Sequence, residues 1–188
     1  MDTESLADRL RSPSRPRIED DQVEALAANL VDGEAVVYDL SSGDGLRRLD
    51  EEGDIDADDD GGTVLLVTDR KLLFAVATVD GAVVGAIPFT DVKQIDWRDG
   101  MLRSRIDVAV WGEGSYRFDP AERGEIATVG EYVATMSEVW DDVAARIGDA
   151  RQHVNEVEHR IESGEEEAAY DHASQALRLL ARGRDRAA

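Results

Sequence analysis

Cysteine is absent from the 188 residues, which excludes a disulfide framework and thiolate chemistry. Long apolar runs are absent as well: the longest, at 63–68 and 72–79, fall far short of the roughly 20 residues that a membrane span needs. The opening MDTESLADRL begins with acid and has no apolar signal core, so a cytoplasmic protein is expected. Lysine is almost missing. Lys71 and Lys93 are the only two, and the other 19 basic residues are arginine. No HExxH, CxxC, Walker or Gly-x-Gly-x-x-Gly pattern occurs, so none of those catalytic or nucleotide sites can be read from the chain.

What stands in excess is negative charge: 42 acidic against 21 basic residues, a net charge of −21. The acids are dispersed through helices and loops alike. A cytosol of molar salt favours such a surface, because carboxylates keep it hydrated there and their repulsion is screened within about 3 Å. In dilute buffer the same charges repel and loosen the fold. The composition resembles that of haloarchaeal proteins. It disfavours DNA, RNA and anionic lipid as partners, since phosphate contacts need clustered Lys and Arg. Apolar residues still make up 42%, enough for a core in a chain of this length.

Periodicity changes along the chain. A short helix is possible near the N-terminus, but Pro13, Pro16 and clustered Ser and Arg mark residues 1–20 as a flexible arm. A helix starts at Asp21, with Val23, Leu26, Ala27 and Leu30 on one face and Asp32-Gly33 as its stop. From Glu34 the period becomes two, and seven strands are predicted over 34–40, 63–68, 71–79, 82–89, 93–98, 103–111 and 115–118. Asp69-Arg70, Asp80-Gly81 and Gly112-Glu113-Gly114 read as tight hairpin turns. After Asp119-Pro120, placed as cap and first helical residue, the pattern turns helical. Ile126, Val129, Val133, Met136, Trp140, Val143, Ile147, Ala150, Val154, Val157 and Ile161 then alternate steps of three and four, a coiled-coil seam. Ser163-Gly164 interrupts it. Tyr170, Ala173, Leu177 and Leu180 form a second, shorter seam, which can fold back as a hairpin while the long seam can also pair between chains.

Several of these stretches carry a resemblance: ALAANLVDGEAVVYD, the hairpin GTVLLVTDRKLLFAV, the segment IPFTDVKQIDWRDG and the strand MLRSRIDVAV. In this order they resemble the prokaryotic pleckstrin-homology-like (PH-like) domains of the YokE type, over 22–145. The resemblance implies a seven-stranded PH-like barrel or sandwich capped by a long C-terminal helix that starts near Ala121; with the helical hairpin expected from the second seam, the fold class is α+β. The expected organisation is an arm at 1–20, a PH-like domain with leading and capping helices at 21–147, and a helical hairpin or coiled-coil extension at 148–188. The matching motifs make a fold and carry no chemistry. Phosphoinositide-binding members carry basic residues in the loop joining the first two strands. Here that loop, GDGLRRLDEEGDIDADDDGG, sets Arg47 and Arg48 against nine acids, so phosphoinositide binding is not carried over.

Candidate sites are few. From Asp54 to Gly62 the chain reads DIDADDDGG, with Asp56, Asp58 and Asp60 at alternate positions, like half of a calcium loop. The position that needs a bidentate glutamate, twelfth from Asp56, is Val67 inside a strand, so the segment reads as a solvated acidic loop. His153 and His159 lie six apart and do not align on one helical face, although His172 can approach one of them if the hairpin forms. They read as surface polar residues. Arg98, Arg103 and Arg105 cluster at a turn beside Trp97, either as a carboxylate or anion pocket or as salt bridges to local acids. Trp97, Trp111 and Trp140 read as packing residues. No catalytic, cofactor or metal residue is assigned and no cofactor is expected. The expected function is a non-enzymatic interaction module that binds a protein partner, or self-associates, through the barrel or the C-terminal helices. The alternative is a peripheral membrane or lipid-headgroup binder, which a basic patch formed by Arg98, Arg103 and Arg105 would revive.

Overall fold

The computed structural model describes residues 3–10, 18–49, 61–100, 103–121 and 124–187. Most of the acidic segment from Asp54 to Gly62, including Asp56, Asp58 and Asp60, lies outside them. The class is α+β. Helices α1 (Thr3–Leu10) and α2 (Asp20–Asn29) precede eight strands, and α3 (Ile126–Glu162) and α4 (Glu166–Ala187) follow. The strands are β1 (Val36–Ser42), β2 (Arg47–Arg48), β3 (Thr63–Thr68), β4 (Lys71–Thr78), β5 (Gly81–Pro88), β6 (Val92–Asp99), β7 (Ser104–Val110) and β8 (Gly114–Phe118). They form two four-stranded antiparallel sheets, β1-β3-β4-β5 and β2-β8-β7-β6, and not a closed barrel. All seven expected strands are present. The two-residue β2 is additional, and it sits where the long acidic connection hides any alternation.

Burial explains the first sheet. Every residue of β3 is buried, because the sheet is covered on both faces. Val64 and Leu66 join Val36, Leu73 and Ala75 in a core with Leu6, Leu10, Val23 and Leu26 of α1 and α2. On the opposite face the Phe74 ring meets Tyr116 of the second sheet at 6.3 Å between centroids. The second sheet alternates instead: along β7, Ser104, Ile106, Val108 and Val110 are buried while Arg105, Asp107 and Ala109 are partly open. One face of that sheet is therefore free to carry polar side chains. Gly81 closes the β4–β5 hairpin at φ +114°, a conformation that an L side chain resists.

Three expectations need correction. Residues 3–10 are not a free arm: Leu6 and Leu10 are fully buried, and Arg9 donates to Asp39 and to the carbonyls of Val36 and Val37 at 3.1 Å. That guanidinium occupies acceptors at the outer edge of β1, a surface that would otherwise be open to strand addition. The capping helix does not start at Pro120. Ala121 donates its N–H to Ser41 O at 2.7 Å and Gly124 adopts φ +86°, so a helix forms only from Ile126. The chain also divides into compact units at Met136/Ser137, earlier than the expected 147/148 boundary.

In the first unit, Ile126, Val129 and Val133 of α3 are fully buried and Tyr132 stands edge-on to Tyr38, 5.4 Å between centroids. The second unit, Ser137–Ala188, is a helical hairpin. Its turn holds Gly164 at φ +76°. The contact line on α4 runs through Ala169, Ala176 and Gly183, all buried, and not through the expected Tyr170, Leu177 and Leu180, which are exposed. Small residues at seven-residue spacing let the two backbones approach.

Candidate arginine cleft

The partly open face of the second sheet gathers cations that are remote in sequence. Register sets Arg47 of β2 beside Arg117 of β8, Arg117 beside Asp107 of β7, and Arg98 of β6 beside Arg105 of β7. Arg105 and Asp107 are two apart on one strand and so share its face. Together with Arg103, at the mouth of the β6–β7 turn, these arginines and Asp119 line a hollow of about 260 Å³. A second hollow of about 310 Å³ shares Arg103 and Asp119 and continues past Ser42, Gly43, Asp44 and Ser104.

Counter-charge is scarce in the hollow. Asp107 accepts both nitrogens of the Arg117 fork, Nε to Oδ1 at 2.7 Å and Nη2 to Oδ2 at 3.0 Å, and its Oδ2 lies 3.4 Å from Arg105 Nε. That carboxylate, by its hydrogen bonds, raises the Arg117 pKa further above its ordinary range. Arg47, Arg98 and Arg103 form no ion pair with any described residue. The lining thus carries a surplus of positive charge on a chain whose net charge is −21. Guanidiniums present planar, forked donors matched to carboxylate and phosphate oxygens.

The structure thus brings together Arg98, Arg103 and Arg105, which sequence reasoning grouped, and adds Arg47 and Arg117, which it did not. Nothing local could have added them, because only the β2–β8–β7 pairing sets them side by side. Of the tryptophans, Trp97 packs its ring against Gly130 of α3, and Trp111 is 61% exposed with Lys93 Nζ 5.1 Å from its ring centroid. The hairpin brings His153 and His172 together, Nδ1 to Nδ1 at 3.0 Å, and leaves His159 exposed. One of those nitrogens must donate and the other accept. Among the described residues no group of three or more His, Cys, Asp and Glu could hold a metal ion. Nor is any helix among them long and apolar enough to cross a membrane.

No family model matches the chain, and no curated protein matches it in sequence. Among solved structures it is similar to the Vps36 N-terminal PH domain, with 12% identity over 58% of this chain and 83% of that one and a TM-score of 0.44. It is also similar to a DUF1696-family protein with a pleckstrin-homology domain from Shewanella loihica PV-4. There the identity is 9%, the coverage 64% of this chain and 99% of that one, and the TM-score 0.40.

Proposed function

We propose that this chain is a non-enzymatic interaction module of PH-like type. Its first unit holds a carboxylate-bearing segment of a partner protein in the arginine cleft, and its helical hairpin supplies a second contact surface. One observation carries the reading: Arg47, Arg98 and Arg103 converge on one hollow with no ion pair to any described residue, on a chain with twice as many acids as bases. Like charges held together repel, and an incoming anion relieves that repulsion. The order of two antiparallel meanders followed by a helix supports the scaffold part, since it is the order that the sequence resemblance implies. An acidic peptide fits better than a bilayer. A peptide reaches one cleft, whereas an anionic membrane meets the field of the whole chain, at −21. A high-salt cytoplasm is the matching environment, where screening removes long-range repulsion and leaves forked contacts at short range.

Calorimetric titration of the full chain with a glutamate-rich peptide, in parallel with inorganic phosphate and vesicles of anionic phospholipid, tests this. Peptide binding that weakens in Arg98→Gln and in Arg103→Gln is the expected result. Binding to vesicles alone moves the function to the membrane. Indifference of every probe to both substitutions refutes the cleft.

A further inference from the structure

The hairpin hides only half of its apolar seam. Val143, Ala150 and Val157 of α3 turn toward α4, while Ile147, Val154 and Ile161 are exposed, the last at 61%. On α4, Tyr170 and Leu177 are exposed at 74% and 68%, and Leu180 is open as well. These stripes belong to one surface. In an antiparallel pair, the positions one step past the contact line turn to the same side on both helices. On α3 they are 147, 154 and 161, following the inward line of Arg146, His153 and Arg160. On α4 they are 170, 177 and 184, following Ala169, Ala176 and Gly183.

We infer that this surface is covered by a second copy of the chain, its α4 laid antiparallel across a two-fold axis. The inference rests on reading the hairpin as a contact surface, and it names the occupant. The pattern is self-complementary about one point. Tyr170 and Leu180, Ala173 and Leu177, and Glu166 and Arg184 are each equidistant from residue 175, so antiparallel pairing there sets apolar against apolar, with Leu177 over the small Ala173, and acid against base. On α3, Ile147 and Val154 are equidistant from the point between Ala150 and Arg151, as are the half-buried Trp140 and Ile161. Hairpin register is independent of both patterns. His153 opposite His172 and Arg160 opposite Glu165 put the two centres level to within a residue, about 1.5 Å along the axis. One two-fold therefore satisfies both helices at once, as an isologous interface requires.

Charge selects the direction. The first half of α4 carries Glu166, Glu167 and Asp171, just after Glu165, and the second half Arg178, Arg182, Arg184 and Arg186. Antiparallel copies set the acidic half over the mainly basic half, which also contains Asp185, and parallel copies set like on like. The product is a four-helix arrangement in which Tyr170 and Leu177 enter the centre.

Sedimentation of the full chain over a range of concentrations and at high salt reads the mass directly. The dimer is expected, and Leu177→Glu raises its dissociation constant roughly 100-fold or more, since two copies of that side chain leave one interface. Unchanged helical circular dichroism in that variant shows that the exposed position is not needed for folding. Because the chain has no cysteine, Glu166→Cys and Arg184→Cys each supply a unique thiol. Antiparallel register lets a short bifunctional maleimide join the two variants when mixed. It leaves each alone unlinked, its own thiols standing on the order of 27 Å apart along the axis. A monomer at every concentration, or linking within each variant alone, overturns the inference. A monomer that still binds the glutamate-rich peptide through the arginine cleft overturns it without touching the cleft.

Discussion

Gly130→Ala tests how the second sheet is anchored to α3. A Cβ at Gly130 would stand 2.3 Å from Cδ2, 2.5 Å from Cε3 and 2.7 Å from Cγ of Trp97. Carbon atoms in contact prefer about 3.5–4.0 Å, so all of these approaches are too short by most of an ångström. The atoms concerned are the ring body, not the tip of a flexible chain, and Trp97 is held in β6 opposite Ile106. Either the helix lifts or the strand moves. Overpacking of this kind costs about 1–3 kcal/mol. Against it stands the helix preference of alanine over glycine, about 1 kcal/mol. The net expectation is a loss of roughly 0–2 kcal/mol. A double-mutant cycle removes that ambiguity. With Trp97→Ala the ring is gone, and Gly130→Ala is left with the propensity gain alone, stabilising by about 0.5–1 kcal/mol. Chemical denaturation of the four proteins at one salt concentration and pH, followed by far-UV circular dichroism, gives the sign in each background. Gly130→Ala that stabilises equally with and without Trp97 would refute the ring-on-glycine contact.

Other substitutions probe the core, a buried ion pair and the cleft. Leu6→Ala should cost about 2–5 kcal/mol in a denaturation midpoint, because Leu6 is fully buried; a neutral result would return 3–10 to a free arm. The Glu34 side chain has no exposure, and its Oε2 accepts from Lys71 Nζ at 3.2 Å and Val31 N at 3.0 Å. Lys71→Met strands that carboxylate and should cost about 3–5 kcal/mol, while Glu34→Gln with Lys71→Met should recover much of the loss. Burial alone would raise the Glu34 pKa, but the Val31 N–H, the Thr68 hydroxyl and the Lys71 ammonium outweigh it and hold it below its ordinary value. A depressed carboxyl stabilises the fold above its unfolded value, about 4.3, and loses that contribution as pH falls through the folded one. Glu34→Gln should therefore flatten the acid limb of the stability–pH curve. Arg117→Met should weaken the glutamate-rich peptide more than Arg103→Met in the same titration, because it removes a cation and releases Asp107 into the cleft.

The sheets were legible because turn chemistry and alternation agree locally: β3 falls on 63–68 as predicted, and Asp80-Gly81 makes the tight turn it advertises. Helix ends and helix faces were less so. Asp119-Pro120 is a good helix opening in isolation, but the Ser41 carbonyl holds Ala121 and Gly124 bends the chain first. On α4, apolar rank pointed to Tyr170 and Leu177, whereas close packing selected the line Ala169, Ala176 and Gly183 beside them. Periodicity identifies a stripe and not the neighbour that covers it. At the N-terminus, the prolines outweighed two leucines at helical spacing, Leu6 and Leu10, whose burial depends on α2 and β3. The cleft was half legible. Arg98, Arg103 and Arg105 sit at one turn, but Arg47 and Arg117 join them only through strand pairing over distances that local pattern does not reach.

The preference for arginine gives the open cleft its meaning. Several guanidiniums elsewhere in the described chain serve more than one acceptor at once. Arg9 takes a carboxylate and two carbonyls, Arg146 takes both oxygens of Asp142, and Arg160 spans Glu156 and Glu165. An ammonium could not reproduce that forked geometry, and the two lysines do different work. Lys71 neutralises buried Glu34 as a point charge, and Lys93 lies over Trp111. Among the described residues Arg151, Arg178, Arg182 and Arg186 also form no ion pair, but they are spread along the helices, whereas Arg47, Arg98 and Arg103 share one hollow. Their convergence, across strands brought together only by the fold, is what a planar anion requires of a receptor.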